Sequence, residues 1–169
     1  MRQPAQPFII DIEASGFGPH SYPIEVGLAL EPSTKYCSLI APAPGWTHWD
    51  AAAELVHRVP RDILETYGKS PTEVALSLNQ LLGDGTVYSD GWVVDQPWLT
   101  QLFSRAAVAQ QFRISPLEMI LSEYQMAVWH EVKDQVVRDL ALTRHRASFD
   151  ALVIQQTYIR TRRAAAPTA

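Results

Sequence analysis

Asp11 and Glu13 stand two residues apart at the end of the apolar run Phe8–Ile9–Ile10. Side chains alternate along a strand, so the two carboxylates face the same way. Side by side they repel unless a cation lies between them, and hard divalent ions take oxygen ligands of this kind. The bland alternative is that both simply leave the strand into solvent. Asp95 precedes an apolar helical run, where it could equally act as an N-cap with Pro97 in the first turn. Asp90 fits a turn just as well. His145 and Asp150 are five residues apart, a separation that turns through about 500° on a helix and would put them on different faces. His145 is therefore expected on the loop before a helix, with Asp150 in that helix's first turns. A histidine beside a metal-binding carboxylate suits a general base near neutral pH; a surface histidine and a helix-surface aspartate are the ordinary alternative.

The elements that would position these groups can be read coarsely. Phe8–Ile10, Ile24–Leu30 and Tyr36–Ala41 read as strands, with Pro32–Ser33–Thr34–Lys35 suited to a hairpin connection, so the chain opens as an antiparallel meander. Ser70–Pro71–Thr72–Glu73 is a capping-box helix start, Val74, Leu78, Leu81 and Leu82 follow at helical spacing, and Gly83 is placed to stop the helix. Thr86–Tyr88 and Phe112–Ile114 read as short strands. Residues 98–108, 118–142 (with a break near His130) and 146–163 read as helices. The order predicts an α/β fold, one mixed sheet flanked by helices, in a single domain over residues 1–163 followed by a disordered tail at 164–169.

The chain has 169 residues, 47% hydrophobic and 19% charged, enough for one domain with a substantial core. No apolar run approaches the ~18–20 residues needed to cross a bilayer, and residues 1–7 do not read as a signal peptide. No membrane association is expected. Cys37 is the single cysteine, which excludes an internal disulfide and a cysteine-based zinc site and fits a reducing cytoplasm. The net charge of −4 argues against a protein that grips long nucleic acid over its whole surface, while divalent ions could supply positive charge locally.

Taken together, these segments resemble the DEDDh family of 3′–5′ exonucleases, which includes proofreading subunits, RNase T and oligoribonuclease. Asp11-x-Glu13-Ala-Ser-Gly16 is similar to the first motif and Pro23–Gly27 to the strand after it. Asp95 with Trp98–Leu99 resembles the second motif, and His145 with Asp150 has the H-x-x-x-x-D spacing of the third. His57 lies where the family often has a histidine before its first long helix. The departures are Gly91 and Val94, where an Asn and a Phe are common, and Arg58, where Gly is usual.

The resemblance implies a ribonuclease H-like, five-stranded mixed sheet. It also implies that Asp11, Glu13, Asp95 and Asp150 are metal ligands and His145 the catalytic base. Two Mg²⁺ or Mn²⁺ ions about 3.5–4 Å apart would activate water and stabilise the leaving oxygen, releasing nucleoside 5′-monophosphates. Around the substrate, Ala14, Ser15 and Gly16 would let the backbone approach the 3′ end of single-stranded RNA or DNA, with RNA favoured. Phe17 could stack on a base or belong to the core, Trp92 lies near Asp95, and Arg144 and Arg146 could meet phosphates or simply solvate a helix end. Homodimerisation is an expectation taken from small family members. Two other readings stay open: a non-catalytic nucleic-acid-binding relative and a two-metal phosphoesterase on small nucleotides. A deep closed pocket at the Asp11 end would favour the phosphoesterase, and an open groove a strand end.

Overall fold

Five strands form one mixed sheet in the order β3-β2-β1-β4-β5, in a computed structural model that describes residues 4–31, 34–141 and 146–164. Along the chain come β1 (Phe8–Ala14), β2 (Pro23–Ala29), β3 (Lys35–Leu39), α1 (Ala51–His57), α2 (Arg61–Tyr67) and α3 (Pro71–Leu82). They are followed by β4 (Thr86–Ser89), α4 (Trp92–Ala106), β5 (Arg113–Pro116), a 3-10 turn (Leu117–Ile120), α5 (Glu123–Leu140) and α6 (Ala147–Ala164). The expected meander is present: β1 pairs antiparallel with β2 and β2 antiparallel with β3. β4 then runs parallel to β1, and β5 parallel to β4. The expected connection at Pro32–Ser33 and the expected tail at 165–169 lie outside the described residues.

Alternation along β1 sorts its side chains between two helical layers. Ile10 and Ile12 join Val26 and Leu28 in a core with Val74 and Leu78 of α3 and Leu99 and Leu102 of α4. Ile9 packs on the other face against Trp129 of α5 and Ala151, Ile154 and Tyr158 of α6. Asp11 and Glu13 share the parity of Ile9 and so belong to the α6 side of the sheet.

Several boundaries differ from the sequence reading for physical reasons. β1 runs through Asp11 and Glu13 to Ala14, because β2 continues to pair with it as far as Pro23. α3 starts as expected, with both arms of the Ser70/Glu73 capping box made, and it stops at Gly83 in positive φ. α4 begins at Trp92, six residues before the expected Trp98, so Pro97 falls inside the helix, where it removes one intrahelical bond. Asp95 is in the first turn and does not cap it. α5 passes through His130 without a break. The interruption lies earlier, between the 3-10 turn and a Ser122/Gln125 capping box. α6 extends one residue beyond the expected end at 163. No helix among the described residues is long and apolar enough to cross a membrane.

Candidate active site and metal centre

β4 runs parallel to β1 and pairs with it only as far as Ile9 and Tyr88, and the acidic residues collect just beyond that point. Asp11 and Glu13 project from β1, and Asp150 from the first turn of α6. One carboxylate oxygen from each can be chosen so that all three lie within 4.8 Å of one another. Ala151 and Ile154 anchor the same helix in the core beneath, which fixes the height of Asp150 over the sheet.

Asp95 arrives from the opposite layer. β4 pairs with β1 only at Phe8 and Ile9. The Ile12 amide, farther along, instead donates to Asp95 Oδ1 at 3.2 Å. The Ser89 hydroxyl donates to Asp95 Oδ2 and accepts from the Gly91 amide at 3.0 Å, so the last residue of β4 orients the carboxylate. Asp95 is 4% exposed. An open cavity of about 270 Å³ is lined by Asp11, Glu13, Asp95 and Asp150 together with Asp90, Lys133, Gly91 and Val94.

The electrostatics are those of crowded anions. Burial, followed by the neighbouring Asp95, Glu13 and Asp150 charges, raises Asp11 well above the usual aspartate range. Burial, Asp150 and Glu25 push Glu13 up to about 7 against a smaller opposing effect of Arg146. Asp95 is raised to about 7, chiefly by burial, while the Ser89 and Ile12 hydrogen bonds pull the other way. Three hard oxygen donors converge from one side, two of them (Asp11 and Glu13) disfavoured as bare anions, and this matches what a divalent cation requires.

The other expected site residues divide into groups. Ala14, Gly16 and Phe17 line a small recess of about 70 Å³ with Ile12, Glu13, Val94 and Trp98, and with Val56 and His57 of α1. Phe17 is 84% exposed and does not belong to the core. Gly16 is required by packing, since a Cβ there would lie 2.9 Å from Asp50 Cβ, His48 Cε1 and Ser21 Oγ. Ser15 is fully buried, and its hydroxyl accepts from the Tyr22 amide at 3.1 Å, so it holds the loop. Trp92 opens α4 with its indole N–H buried and unpartnered. Arg146 turns to Glu25 of β2, donating from Nε at 3.0 and 3.1 Å and from Nη2 at 2.7 Å. His145 and Arg144 lie outside the described residues.

Sequence reasoning missed Lys133, whose Nζ is 2.8 Å from Asp90 Oδ2 at the cavity wall. It sits mid-helix on α5, 38 residues after Asp95 in the chain, so no local spacing could signal it. It missed Ser89 as the group that orients Asp95. It noted His57 but not its state. The Val59 amide donates to Nδ1 at 3.1 Å, which leaves the proton on Nε2, and burial lowers the ring's pKa. The structure therefore presents a neutral histidine beside the recess.

No protein-family model matches this chain, and no curated protein does. Solved structures do. Exonuclease I from Methylocaldum szegediense superposes with a TM-score of 0.70 at 11% identity over 95% of this chain and 41% of that one. Escherichia coli Exonuclease I in complex with a dA16 oligonucleotide gives 0.68 at 11% identity over 90% and 39%. The zinc-bound form of its complex with single-stranded DNA gives 0.66 at 12% identity over 93% and 41%. The chain spans about two fifths of the length of these neighbours. At such identities the likeness is one of architecture, and by it the chain has the ribonuclease H-like fold of the exonucleases.

Proposed function

We propose that this chain is a metal-dependent 3′–5′ exonuclease that removes nucleoside 5′-monophosphates from single-stranded nucleic acid. The observation that carries this reading is the meeting of Asp11, Glu13 and Asp150, with Asp95 alongside, in an open cavity on this fold. Asp11, Glu13, Asp95 and Asp150 are the residues that would hold Mg²⁺ or Mn²⁺. Two such ions, when bound, supply Lewis-acid activation of a water and charge stabilisation of the phosphate and leaving oxygen. Asp95, fixed by Ser89 and the Ile12 amide, keeps its carboxylate in one orientation, the kind of support that metal ligands need. His145 takes the proton of the attacking water, and His145→Ala should lower kcat by about 10²–10⁴-fold with metal binding retained.

The recess at Ala14, Gly16 and Phe17 receives the terminal nucleotide, with Phe17 as a stacking face. The open form of the acidic cavity favours a strand end over a small enclosed phosphoester. The net charge of −4 favours a short single strand over a long polymer, and RNA is the polymer we favour. The deoxyoligonucleotides in the Exonuclease I complexes make single-stranded DNA the competitor. Matched end-labelled RNA and DNA oligomers, each with Mn²⁺ or EDTA, decide the sugar. Cleavage of neither by folded protein would refute the reading.

A further inference from the structure

A second cleft, about 310 Å³, opens beside the acidic cavity and shares Asp90 and Lys133 with it. Its far wall is Leu117, Glu118 and Leu121 around the 3-10 turn, and its near wall is Met126, Trp129, His130 and Lys133 of α5. Those four fall at i, i+3, i+4 and i+7, one stripe of the helix. Met126 is 46% exposed and Trp129 keeps 8% of its surface in the open, so the stripe offers apolar surface to a flat ligand at one end and a cation at the other. The Phe17 recess shares Ile12, Glu13 and Val94 with the acidic cavity, and no residue lining it also lines this cleft. The recess and the cleft therefore flank the carboxylates.

Resting on the exonuclease reading, we infer that this cleft binds the nucleotide on the 5′ side of the scissile bond. The base lies on the exposed Met126 side chain beside the open edge of Trp129, and Lys133 meets the phosphate one step upstream. A strand whose terminal residue fills the recess has to leave the carboxylates on the other side, which is where the cleft begins. Among the described residues lining either cavity, Lys133 is the one lysine or arginine, and Asp90 holds it at the threshold at 2.8 Å. Arg146, the other cation near the acids, is committed to Glu25. An ammonium at this place gives a protein of net negative charge one local contact for the polyanion, beside the carboxylates of Asp90 and Glu118. Apolar and aromatic surface beside it is tolerant of base identity.

The test compares the wild type, Lys133→Ala, Lys133→Arg and Met126→Glu on two substrates. One is a single-stranded oligonucleotide. The other is the p-nitrophenyl ester of thymidine 5′-monophosphate, which has a terminal nucleotide and no 5′ neighbour. Circular dichroism checks that each variant folds. The expected result is a loss in kcat/KM for Lys133→Ala and Met126→Glu about ten times larger on the oligonucleotide than on the ester, seen mainly in KM. Lys133→Arg should recover most of the Lys133→Ala loss. The salt dependence of log kcat/KM on the oligonucleotide should also flatten in Lys133→Ala by about 0.7 of a unit, one phosphate contact to a single strand. Equal losses on both substrates, or no loss on either, would overturn the inference. A wild type that cleaves neither substrate would instead count against the exonuclease reading itself.

Discussion

The Glu25 carboxylate on β2, fully buried, accepts from Nε and Nη2 of Arg146 and from the Ala147 amide at 3.2 Å. These bonds tie the middle of the sheet to the residue that enters α6 and to its first amide, one turn before Asp150. The Arg146 guanidinium is itself partly exposed. Its first role is thus to neutralise a buried anion and to fix where α6 begins.

Arg146→Ala should therefore cost stability before it costs binding. Leaving Glu25 buried without its partner is worth about 3–5 kcal/mol in comparable cases, and the partial exposure of Arg146 places this one near or below the low end. A fall in Tm of roughly 5–12 °C corresponds to that range for a chain of this size. Thermal unfolding monitored by circular dichroism checks it, and kcat should fall with it as Asp150 loses its footing. An unchanged Tm with only a raised KM would show that Arg146 serves the substrate's phosphates instead.

Gly27 is the cross-strand partner of Asp11, and it sets the approach of α6 from beneath. A Cβ at Gly27 would lie 2.1 Å from the Ala147 carbonyl carbon and the Ser148 nitrogen, backbone atoms that cannot swing aside. Gly27→Ala should lift the start of α6 off the sheet, destabilising the protein by about 1–3 kcal/mol or more. It should also weaken Mn²⁺ binding by moving Asp150 away from Asp11 and Glu13. Isothermal titration with Mn²⁺ and a melting curve on the same preparation test both effects. A variant with native Tm and native Mn²⁺ affinity would contradict this packing account.

The acidic cluster makes the metal-free protein sensitive to pH in a defined direction. Glu13 and Asp95 titrate near 7 in the folded chain, against ordinary values of 4.5 and 3.8. Between about 4 and 7 the folded state then holds more protons than the unfolded one, so stability is lost as pH rises through that window. In EDTA, Tm should fall from pH 5 to pH 8 where these groups dominate, and Glu13→Gln should flatten the decline. Adding Mn²⁺ at about 100 times its Kd should restore about 2.7 kcal/mol at pH 8 and much less at pH 5, where protons compete for the carboxylates. A metal-free Tm that the Glu13→Gln substitution leaves with the same pH slope would refute this assignment.

How far the sequence reached follows from what each signal depends on. The pairing of Asp11 with Glu13 was legible because strand alternation is local, and the meander because its strands are short and punctuated by turn residues. The start of α4 was not, because Pro97 looks like a first-turn proline; the tertiary bonds from Ile12 and Ser89 that hold Asp95 inside an earlier turn leave no local trace. The break placed near His130 failed for a related reason. The Ser122/Gln125 capping box was the real start signal, and α5 runs through His130 uninterrupted. Arg146 could be seen as a cation near the acids, but its partner Glu25 lies 121 residues away in sequence. Lys133 and Asp90 meet across 43 residues, and only the folded chain brings them together. Arg58 adopts φ +58° at the end of α1. The backbone there keeps the shape a glycine would adopt without strain.

The central claim is tested most directly by incubating the purified protein with a 3′-labelled and a 5′-labelled single-stranded oligonucleotide, in Mn²⁺ or in EDTA, beside Asp150→Ala. The account predicts metal-dependent release of the 3′ label as mononucleotide and a descending 5′-labelled ladder, with no activity in EDTA or in the variant. Release of the 5′ label first, internal cleavage, or full activity in Asp150→Ala would contradict it.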